Sequence, residues 1–404
     1  MNSEAIVEGE VGERPAMANQ LAVSRPASPP VLPEAALVRA AIMAPSPDNN
    51  QPWRFRFERG KLLLYEDRAR RLPSDVCSMF SLLGSGAAVE NVAVEASRHG
   101  LFAEVRCLAP GGTCGSSDGA CAGDAPVAEI CFSPGTAPDH LGAVLETRCT
   151  NRHAYSRQPV PSKALNQMSA AATRFDGCHV TWLTDRASIR GISKLVAAAD
   201  RVRFECAEFH AELFRQLRLT PGEAERTRDG LDLRTLGLPS GGGLLLRSLR
   251  SWPLVQALNH IGLSRMLTLS SAVLVRKSGA LGALTVTAPA NAAFFEAGRA
   301  LERLWLTATE LGLSLHPLGS LPIFVGHHEL LGGRSLDVRH ARLAVCLSRD
   351  LHDVLPAIRG QTLVMIFRLG TSTARPVRSF RRTVEEVMKP CSTSPPLEAN
   401  EALP

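Results

Sequence analysis

Stretches with an apolar residue at every third or fourth position, typical of amphipathic helices, alternate along the chain with short strand-like runs. The longest helices are predicted over 83–98 and 292–311, because each has small or apolar side chains on one face. Gly100 and Gly312 follow them directly, as glycine commonly does at helix ends. Further helices are predicted over 35–44, 139–149, 162–173 and most of 186–218.

Strands are predicted where short apolar runs are bounded by turn residues. A hairpin with strands over 53–57 and 62–65 is expected around Arg59 and Gly60. The other predicted strands are 105–108, 127–132, 180–183, 272–275, 284–288, 343–347 and 363–369. Residues 219–270 have few periodic apolar positions and are predicted to be irregular. This mixture of elements predicts the α+β fold class.

Composition limits the function classes. The chain has 404 residues, 45% of them apolar, which is enough for two domains and a large core. Its net charge of +6 is spread out, without the basic stripe and stacking aromatics of a nucleic-acid binder. No apolar run reaches the roughly 18 residues of a membrane span, and the N-terminus lacks a secretory signal. We therefore expect a cytoplasmic protein with no nucleic acid and no membrane as partner.

The cysteines give no metal motif. The ten of them lack C-x-x-C pairs and zinc-like histidine spacing, so no metal site is expected and free thiols are predicted. Cys114 and Cys121 lie in a Gly- and Ser-rich surface insertion over 110–124, where a redox role is less favoured than an ordinary thiol. Residues 1–30 and 391–404 are predicted to be a disordered leader and tail.

The octapeptide S-P-D-N-N-Q-P-W over 46–53 lies between a predicted helix and a predicted strand. Pro45 and Pro47 end the helix, because proline lacks an N–H and restricts the residue before it. Ser46, Asn49 and Gln51 offer hydrogen-bond donors and acceptors without net charge, which suits the N–H and C=O edge of a flat heterocycle. A plain polar turn is the simpler alternative.

Two basic segments offer anion contacts. Arg148 and Arg152 flank Thr150, and two guanidinium groups with a hydroxyl between them suit the oxygens of a phosphate. A second cluster, which includes Arg378 and Arg381, follows the last predicted strand. Either segment would also be compatible with an exposed basic surface.

Together these pieces resemble the FMN-dependent nitroreductase family, in particular its fused twin-domain, Acg-like branch. The loop over 46–53 resembles the family's flavin-edge loop S-x-x-N-x-Q-P-W, and Arg148, Thr150 and Arg152 resemble its R-x-S-x-R segment. Gly298 and Trp305, followed by a turn at Leu318 and Gly319, resemble its core helix and ring-facing turn. The resemblance implies that these residues bind FMN: Pro45, Ser46, Pro47, Asn49, Gln51, Arg148, Thr150, Arg152, Leu318, Gly319, Arg378 and Arg381.

The order of the motifs suggests a fusion. Residues 31–137 hold the loop but no R-x-S-x-R segment, whereas residues 138–390 hold the arginines and have 173–178 where a second loop would be expected. The resemblance therefore implies a nitroreductase-like fold of two half-units, joined in one chain as a monomeric pseudo-dimer with one FMN. Residues 219–270 would form a lid-like insertion in the second unit.

The same resemblance implies an enzyme. FMN would pass electrons between a reduced donor such as NAD(P)H and a small organic acceptor. The sequence compels no catalytic acid or base, although Arg234, His327 and His328 are substrate-side candidates. Two alternatives stay open: a non-catalytic protein that sequesters the flavin under a lid, and an FMN-dependent oxidase of a biosynthetic intermediate.

Overall fold

The computed structural model describes residues 32–109 and 125–388, and the predicted leader, the 110–124 insertion with Cys114 and Cys121, and the predicted tail lie outside them. The first unit packs two helices against one antiparallel sheet. Its elements are α1 (Glu34–Ile42), β1 (Trp53–Glu58), β2 (Lys61–Glu66), α2 (Met79–Arg98), β3 (Leu101–Cys107) and β4 (Ala128–Pro134).

The second unit is larger and carries most of the helices. Its elements are α3 (Ser162–Ala172), β5 (Cys178–Leu183), α4 (Arg186–Arg201), α5 (Ala207–Gln216), β6 (Leu217–Arg218), α6 (Pro221–Thr227), β7 (Leu231–Asp232), α7 (Gly242–Ser248), α8 (Trp252–Asn259), α9 (Leu263–Arg276), β8 (Ala280–Val286), α10 (Asn291–Glu310), β9 (Ser314–Leu318), α11 (Ser320–Glu329), α12 (Val338–Val354), β10 (Thr362–Gly370) and α13 (Val384–Val387).

The two units share one topology. The strands of the first sheet follow the order β1-β2-β4-β3, and those of the second follow β5-β8-β10-β9, with every neighbouring pair antiparallel. In each unit a helix precedes the first strand, and one twenty-residue helix separates the second strand from the third. The predicted α+β class is therefore confirmed, and one chain contains two half-units of the same design.

Two insertions distinguish the second unit from the first. The turn at Arg59 and Gly60 joins β1 to β2, whereas α4 to α9 lie between β5 and β8. A second insertion, with α11 and α12, lies between β9 and β10. After β10 the chain returns to the first unit, where Met388 pairs with Phe55 of β1.

The long helices α2 and α10 cross at two glycines. Gly86 is the eighth residue of α2, and a Cβ there would lie 1.9 Å from the carbonyl oxygen of Phe295, the fifth residue of α10. Gly298 is the eighth residue of α10, and its Cβ would lie 2.1 Å from the carbonyl oxygen of Leu83, the fifth residue of α2. The crossing is thus reciprocal, and the two backbones touch because neither glycine has a side chain.

The helix over Val76–Arg98 is the described segment whose length and apolar composition would suit a membrane span. Eighty-three per cent of its apolar 18-residue stretch is buried inside the fold. A core helix has the same length and composition, so this match is no argument for a span.

The structure corrects several sequence predictions. Residues 219–270, predicted to be irregular, are mostly helical (α6 to α9), and the strands predicted over 272–275 and 343–347 lie in α9 and α12. The helix predicted over 139–149 is reduced to a 3₁₀ turn, His140–Val144. The two strand errors arose from short apolar runs, because periodicity alone does not separate a buried strand from a buried helix. Cys77 is disulfide-bonded, which corrects the expectation of free thiols throughout.

Substitution at the helix crossing should destabilise the fold. Gly86→Ala and Gly298→Ala should each lower the free energy of unfolding by at least about 2 kcal/mol, because a backbone carbonyl cannot rotate away from the new methyl group. Gly84→Ala is the matched control, since its Cβ would meet neighbours at 3.6 Å, an ordinary contact. Urea denaturation measures all three, and wild-type stability in Gly86→Ala would contradict the close crossing.

Candidate functional site

A cleft lies between the two units and has a volume of about 990 Å³, including the part open to solvent. Both units, the linker between them and the segment after β10 contribute to its lining. Nine of the predicted binding residues line it: Pro45, Ser46, Pro47, Asn49, Arg148, Thr150, Arg152, Gly319 and Arg381. The cleft therefore brings together residues that lie more than 300 positions apart in the sequence.

The floor of the cleft is apolar. Leu83 of α2 and Leu301 and Trp305 of α10 lie beside the helix crossing, and Ile323 and Met365 also line the cleft. Small-molecule sites commonly combine such apolar walls with a few polar groups. A flat aromatic ring would find both kinds of contact here.

The loop after α1 is held in an unusual conformation. Asp48, Asn49 and Gln51 all have positive φ angles, of 45°, 57° and 50°. Asp and Asn tolerate this left-handed region better than most residues, whereas Gln51 has no such advantage. The hydroxyl of Ser46 accepts a hydrogen bond from the Gln51 N–H at 3.0 Å, which closes the loop. Backbone strain of this kind is concentrated at functional sites.

Asn49 joins three segments at the rim of the cleft. Its Nδ2 donates to the carbonyl oxygens of Gly230 and Phe380, both at 3.1 Å, and its Oδ1 accepts from Arg381 Nη1 at 2.7 Å. The Gly230 N–H also donates to the Asn49 carbonyl oxygen. The side chain predicted to meet a ring edge thus also fixes the first unit to the insertion and to the segment after β10.

Three predicted binding residues lie outside the cleft lining. Gln51 is fully buried, where its Nε2 donates to the Arg228 carbonyl and its Oε1 accepts from the Arg382 N–H, both at 2.9 Å. Leu318 follows Pro317 on β9, and because side chains alternate along a strand, it packs in the core behind the sheet while Pro317 faces the cleft. Arg378 is exposed on the segment after β10.

Arg148 is already engaged by the protein. Its Nε lies 3.0 Å from Oε1 of Glu302, its Nη2 donates to the Met43 carbonyl at 2.7 Å, and its guanidinium stacks 4.5 Å from the centre of the Trp305 ring. The contact with Glu302 is an ion pair without an aligned hydrogen bond. Burial raises the pKa of Glu302 to about 7, although the Arg148 charge opposes this.

Arg152 and Arg381 carry less compensated charge. Arg152 donates to the Thr235 carbonyl at 3.2 Å, and burial lowers its pKa while Asp48 opposes the shift. Burial, reinforced by Arg148, lowers the pKa of Arg381 to about 9, and its Nε has no hydrogen-bond partner. A bound anion would stabilise both guanidinium groups.

A fourth arginine was missed by the sequence analysis. Arg203 lies on the 3₁₀ turn Val202–Phe204 after α4 and lines the same cleft. No local motif surrounds it, and only the fold brings it to the site. With Arg148, Arg152 and Arg381, the lining has four guanidinium groups and one carboxylate, that of Asp48.

The three substrate-side candidates lie elsewhere. Arg234 pairs with Asp232 at 2.6 Å and lies over the Phe380 ring. His327 shares a hydrogen bond with the Ser335 hydroxyl at 2.7 Å. Neither these two residues nor His328 is among the lining residues, so the described cleft gives none of them a catalytic role.

The pKa of Glu302 predicts a pH effect on stability. Because folding raises this pKa from 4.5 to about 7, the native state binds a proton that the unfolded chain releases, and stability falls as pH rises through this window. Glu302→Gln should reduce the loss of unfolding free energy between pH 5 and pH 7.5. Urea denaturation at both pH values measures the difference, and an unchanged slope would contradict a raised pKa.

Comparisons with known proteins give only distant similarities. No family model matches the chain. The chain is 27% identical over 366 residues to an uncharacterized protein of Mycobacterium tuberculosis (strain CDC 1551 / Oshkosh), MT1398. The match covers 88% of this chain and 48% of the relative, so the chain spans about half the length of the curated relative it matches.

Several solved structures are similar to the chain, and three FMN proteins are among them. A nitroreductase with bound FMN from Desulfitobacterium hafniense DCB-2 is 10% identical, with coverage of 59% of this chain and 93% of its own and a TM-score of 0.32. The FMN-dependent nitroreductase NfnB from Mycobacterium smegmatis, in complex with NADPH, is 15% identical, with coverage of 61% of this chain and 95% of its own and a TM-score of 0.34. Iodotyrosine deiodinase bound to FMN and 3-iodo-L-tyrosine is 12% identical, with coverage of 60% of this chain and 94% of its own and a TM-score of 0.34.

Proposed function

We propose that this chain is an FMN-binding oxidoreductase of the nitroreductase type, with one FMN in the cleft between its two half-units. The observation that carries the proposal is the composition of the cleft, in which four guanidinium groups and one carboxylate surround an apolar floor. An aromatic ring with an anionic tail matches both parts. FMN bound there would supply hydride and electron transfer between a donor such as NAD(P)H and a small organic acceptor.

The phosphate end is assigned to Arg152, Thr150 and Arg381, with Arg203 beside them. A buried cation without a carboxylate partner is costly, and a phosphate would relieve that cost with charge-assisted hydrogen bonds. The unpartnered Nε of Arg381 offers one such donor. Arg148 has a structural role. Its guanidinium group is already paired with the buried Glu302 carboxylate and is therefore less free to bind a phosphate.

The ring end is assigned to the loop of Ser46, Pro47 and Asn49 and to the apolar floor. Gly319, at the start of α11, lies opposite this loop, with Phe80 at 3.7 Å from where a Cβ would be. Backbone groups at these positions hold a ring in place without adding charge. No catalytic acid or base is assigned.

A single flavin is proposed because the equivalent second position has no surplus of positive charge. A separate surface depression lies at the other end of the helix crossing, where Arg174, Phe175 and Asp176 take the place of the first unit's loop. Glu90 of α2 is paired there with Arg303 at 2.8 Å and with Arg299 at 3.1 Å. Four acidic residues, Glu90, Asp139, Asp176 and Glu296, line this depression together with three arginines, so the phosphate of a second flavin would meet negative charge there.

We therefore expect about one FMN per chain in a monomeric protein. Flavin released by heat should be quantified against protein, with molar mass measured by light scattering. Two flavins per chain would contradict the proposed charge difference between the two positions, and no flavin after incubation with excess FMN would contradict the proposal itself.

Phosphate contact is tested by comparing two flavins. Arg152→Ala and Arg381→Ala should each weaken FMN binding about tenfold or more, because a charge-assisted contact contributes about 1.5–3 kcal/mol, and should leave riboflavin binding almost unchanged. Fluorescence titration measures both affinities. An equal loss of affinity for FMN and for riboflavin would contradict contact between these arginines and the phosphate.

Arg148→Ala is the contrasting variant. It leaves Glu302 buried without its ion-pair partner, so it should lower the unfolding free energy of the flavin-free protein more than Arg152→Ala does. Thermal denaturation of the two flavin-free variants makes the comparison. Wild-type stability in Arg148→Ala would contradict a supporting role for Arg148 and would favour phosphate contact by this residue instead.

A second candidate function is flavin sequestration, and the insertion between β5 and β8 favours it. Leu231 of this insertion lines the cleft, and the backbone of Arg228 and Gly230 bonds to the loop residues Gln51 and Asn49. Asp229 secures the same stretch, because it pairs with Arg70 of the first unit at 2.5 Å and with Arg218 at 2.7 Å. A cover so attached would restrict access to the ring.

Asp229→Asn should loosen this cover. Loss of two ion pairs should increase quenching of the flavin fluorescence by iodide, while FMN stays bound through its phosphate. Asp350→Asn is the control, because Asp350 pairs with Arg349 on the exposed side of α12. Unchanged quenching in Asp229→Asn would argue against a cover, and rapid NAD(P)H oxidation with a quinone or nitroarene by the wild type would favour the reductase over sequestration.

A further inference from the structure

The insertion between β5 and β8 has an extreme charge distribution. Residues 233–295 contain six arginines and lysines and no aspartate or glutamate. In a chain with 39 acidic residues, an acid-free stretch of this length is a distinct electrostatic region. Arg250, Arg265, Arg276 and Lys277 of this region are exposed.

Exposed apolar side chains are concentrated in the same region. Eight of the thirteen large hydrophobic residues exposed in the described chain fall between residues 238 and 273. Ile261 is 83% exposed, Leu244 69%, Leu269 61% and Met266 58%. Soluble proteins expose single apolar residues routinely, but a concentration of them marks a contact surface.

Helix α9 is apolar on two opposite sides. Leu263, Ala272 and Val275 are buried on the side that packs against the second unit. Met266, Leu269 and Val273 follow one another at spacings of three and four residues and are exposed. A helix with apolar residues on both sides is ordinarily covered on both, so the exposed stripe needs an occupant.

Helices α7, α8 and α9 form one small subassembly. Leu249, Val255 and Leu263 pack together in a core of their own, with Trp252 and Leu267 against it. The exposed leucines, isoleucine and methionine project from this subassembly together with the arginines and Lys277. We call the exposed side of residues 242–277 the basic apolar surface.

We propose that the basic apolar surface docks on an anionic lipid membrane. Aliphatic side chains flanked by arginine and lysine, without acidic residues, are the composition of helices that lie in the membrane interface. The apolar groups enter the acyl boundary while the long basic side chains reach the headgroups. This would be peripheral binding, since α7, α8 and α9 are too short to span, and it departs from the sequence-based expectation of no membrane partner.

The charge argues against a second copy of the chain as the occupant. A two-fold dimer through this surface would place the patch against itself, and like charges would face each other without an acidic residue between them. An anionic membrane supplies the missing negative charge over a broad area. The charge pattern thus favours the lipid surface.

Vesicle sedimentation tests the proposal on the full chain. The wild type should pellet with vesicles of phosphatidylglycerol and phosphatidylcholine in equal parts, at least about tenfold more than with phosphatidylcholine alone, because each basic residue near an anionic surface contributes about fivefold. Met266→Gln with Leu269→Gln should remove most of this binding. Arg265→Glu with Lys277→Glu should reduce it at least about tenfold.

Val338→Gln with Val345→Gln on α12 is the matched control, because both valines are exposed outside the basic apolar surface. This control should bind vesicles like the wild type, and thermal denaturation verifies that every variant folds. No pelleting of the wild type with anionic vesicles overturns the proposal, as does equal pelleting of the Met266 and Leu269 double variant. A dimer in vesicle-free light scattering that this variant abolishes would assign the surface to a second copy instead.

Discussion

The contact between the backbones of α2 and α10 is the constraint on which the rest of the structure depends. Gly86 and Gly298 place each helix against a carbonyl of the other, so the two half-units meet at a fixed distance and angle. The crossing has approximate two-fold symmetry, and it therefore creates two equivalent end positions. The cleft lies at one of these positions, and a surface depression lined by the ion network of Glu90, Arg299 and Arg303 lies at the other, here called the closed end because its charges are paired with one another.

Charge distinguishes the two ends. At the closed end Glu90 faces two arginines, and Arg303 also contacts Asp139, so each buried charge has a partner. At the cleft the balance is positive, since Glu302 is engaged by Arg148 and the other three guanidinium groups face one carboxylate. Buried charge is tolerated when it is paired. The closed end pairs its charges within the protein, whereas the cleft leaves positive charge that an anionic ligand would neutralise.

Sequence reasoning found the parts of this design that are local. Helices α2 and α10 were predicted because their periodicity is long, and Ser46, Asn49, Arg148 and Arg152 because each belongs to a short motif that reaches the cleft. It missed Arg203, which only the path of the chain after α4 brings to the site. It also failed for α9, where apolar residues on two opposite sides hide the helical period.

Much of the asymmetry of the molecule arises from the insertion between β5 and β8. The strands β5 and β8 keep an unbroken antiparallel register from Cys178 opposite Val286 to Leu183 opposite Leu281, although α4 to α9 separate them in sequence. An insertion at the end of a hairpin leaves the sheet intact, which is why such positions tolerate added chain. This insertion supplies Arg203 and Leu231 to the cleft, the backbone bonded to Asn49, and the basic apolar surface. The first half-unit has only a two-residue turn there, so this insertion, together with Gly319 and Ile323 from the connection between β9 and β10, makes the site one-sided.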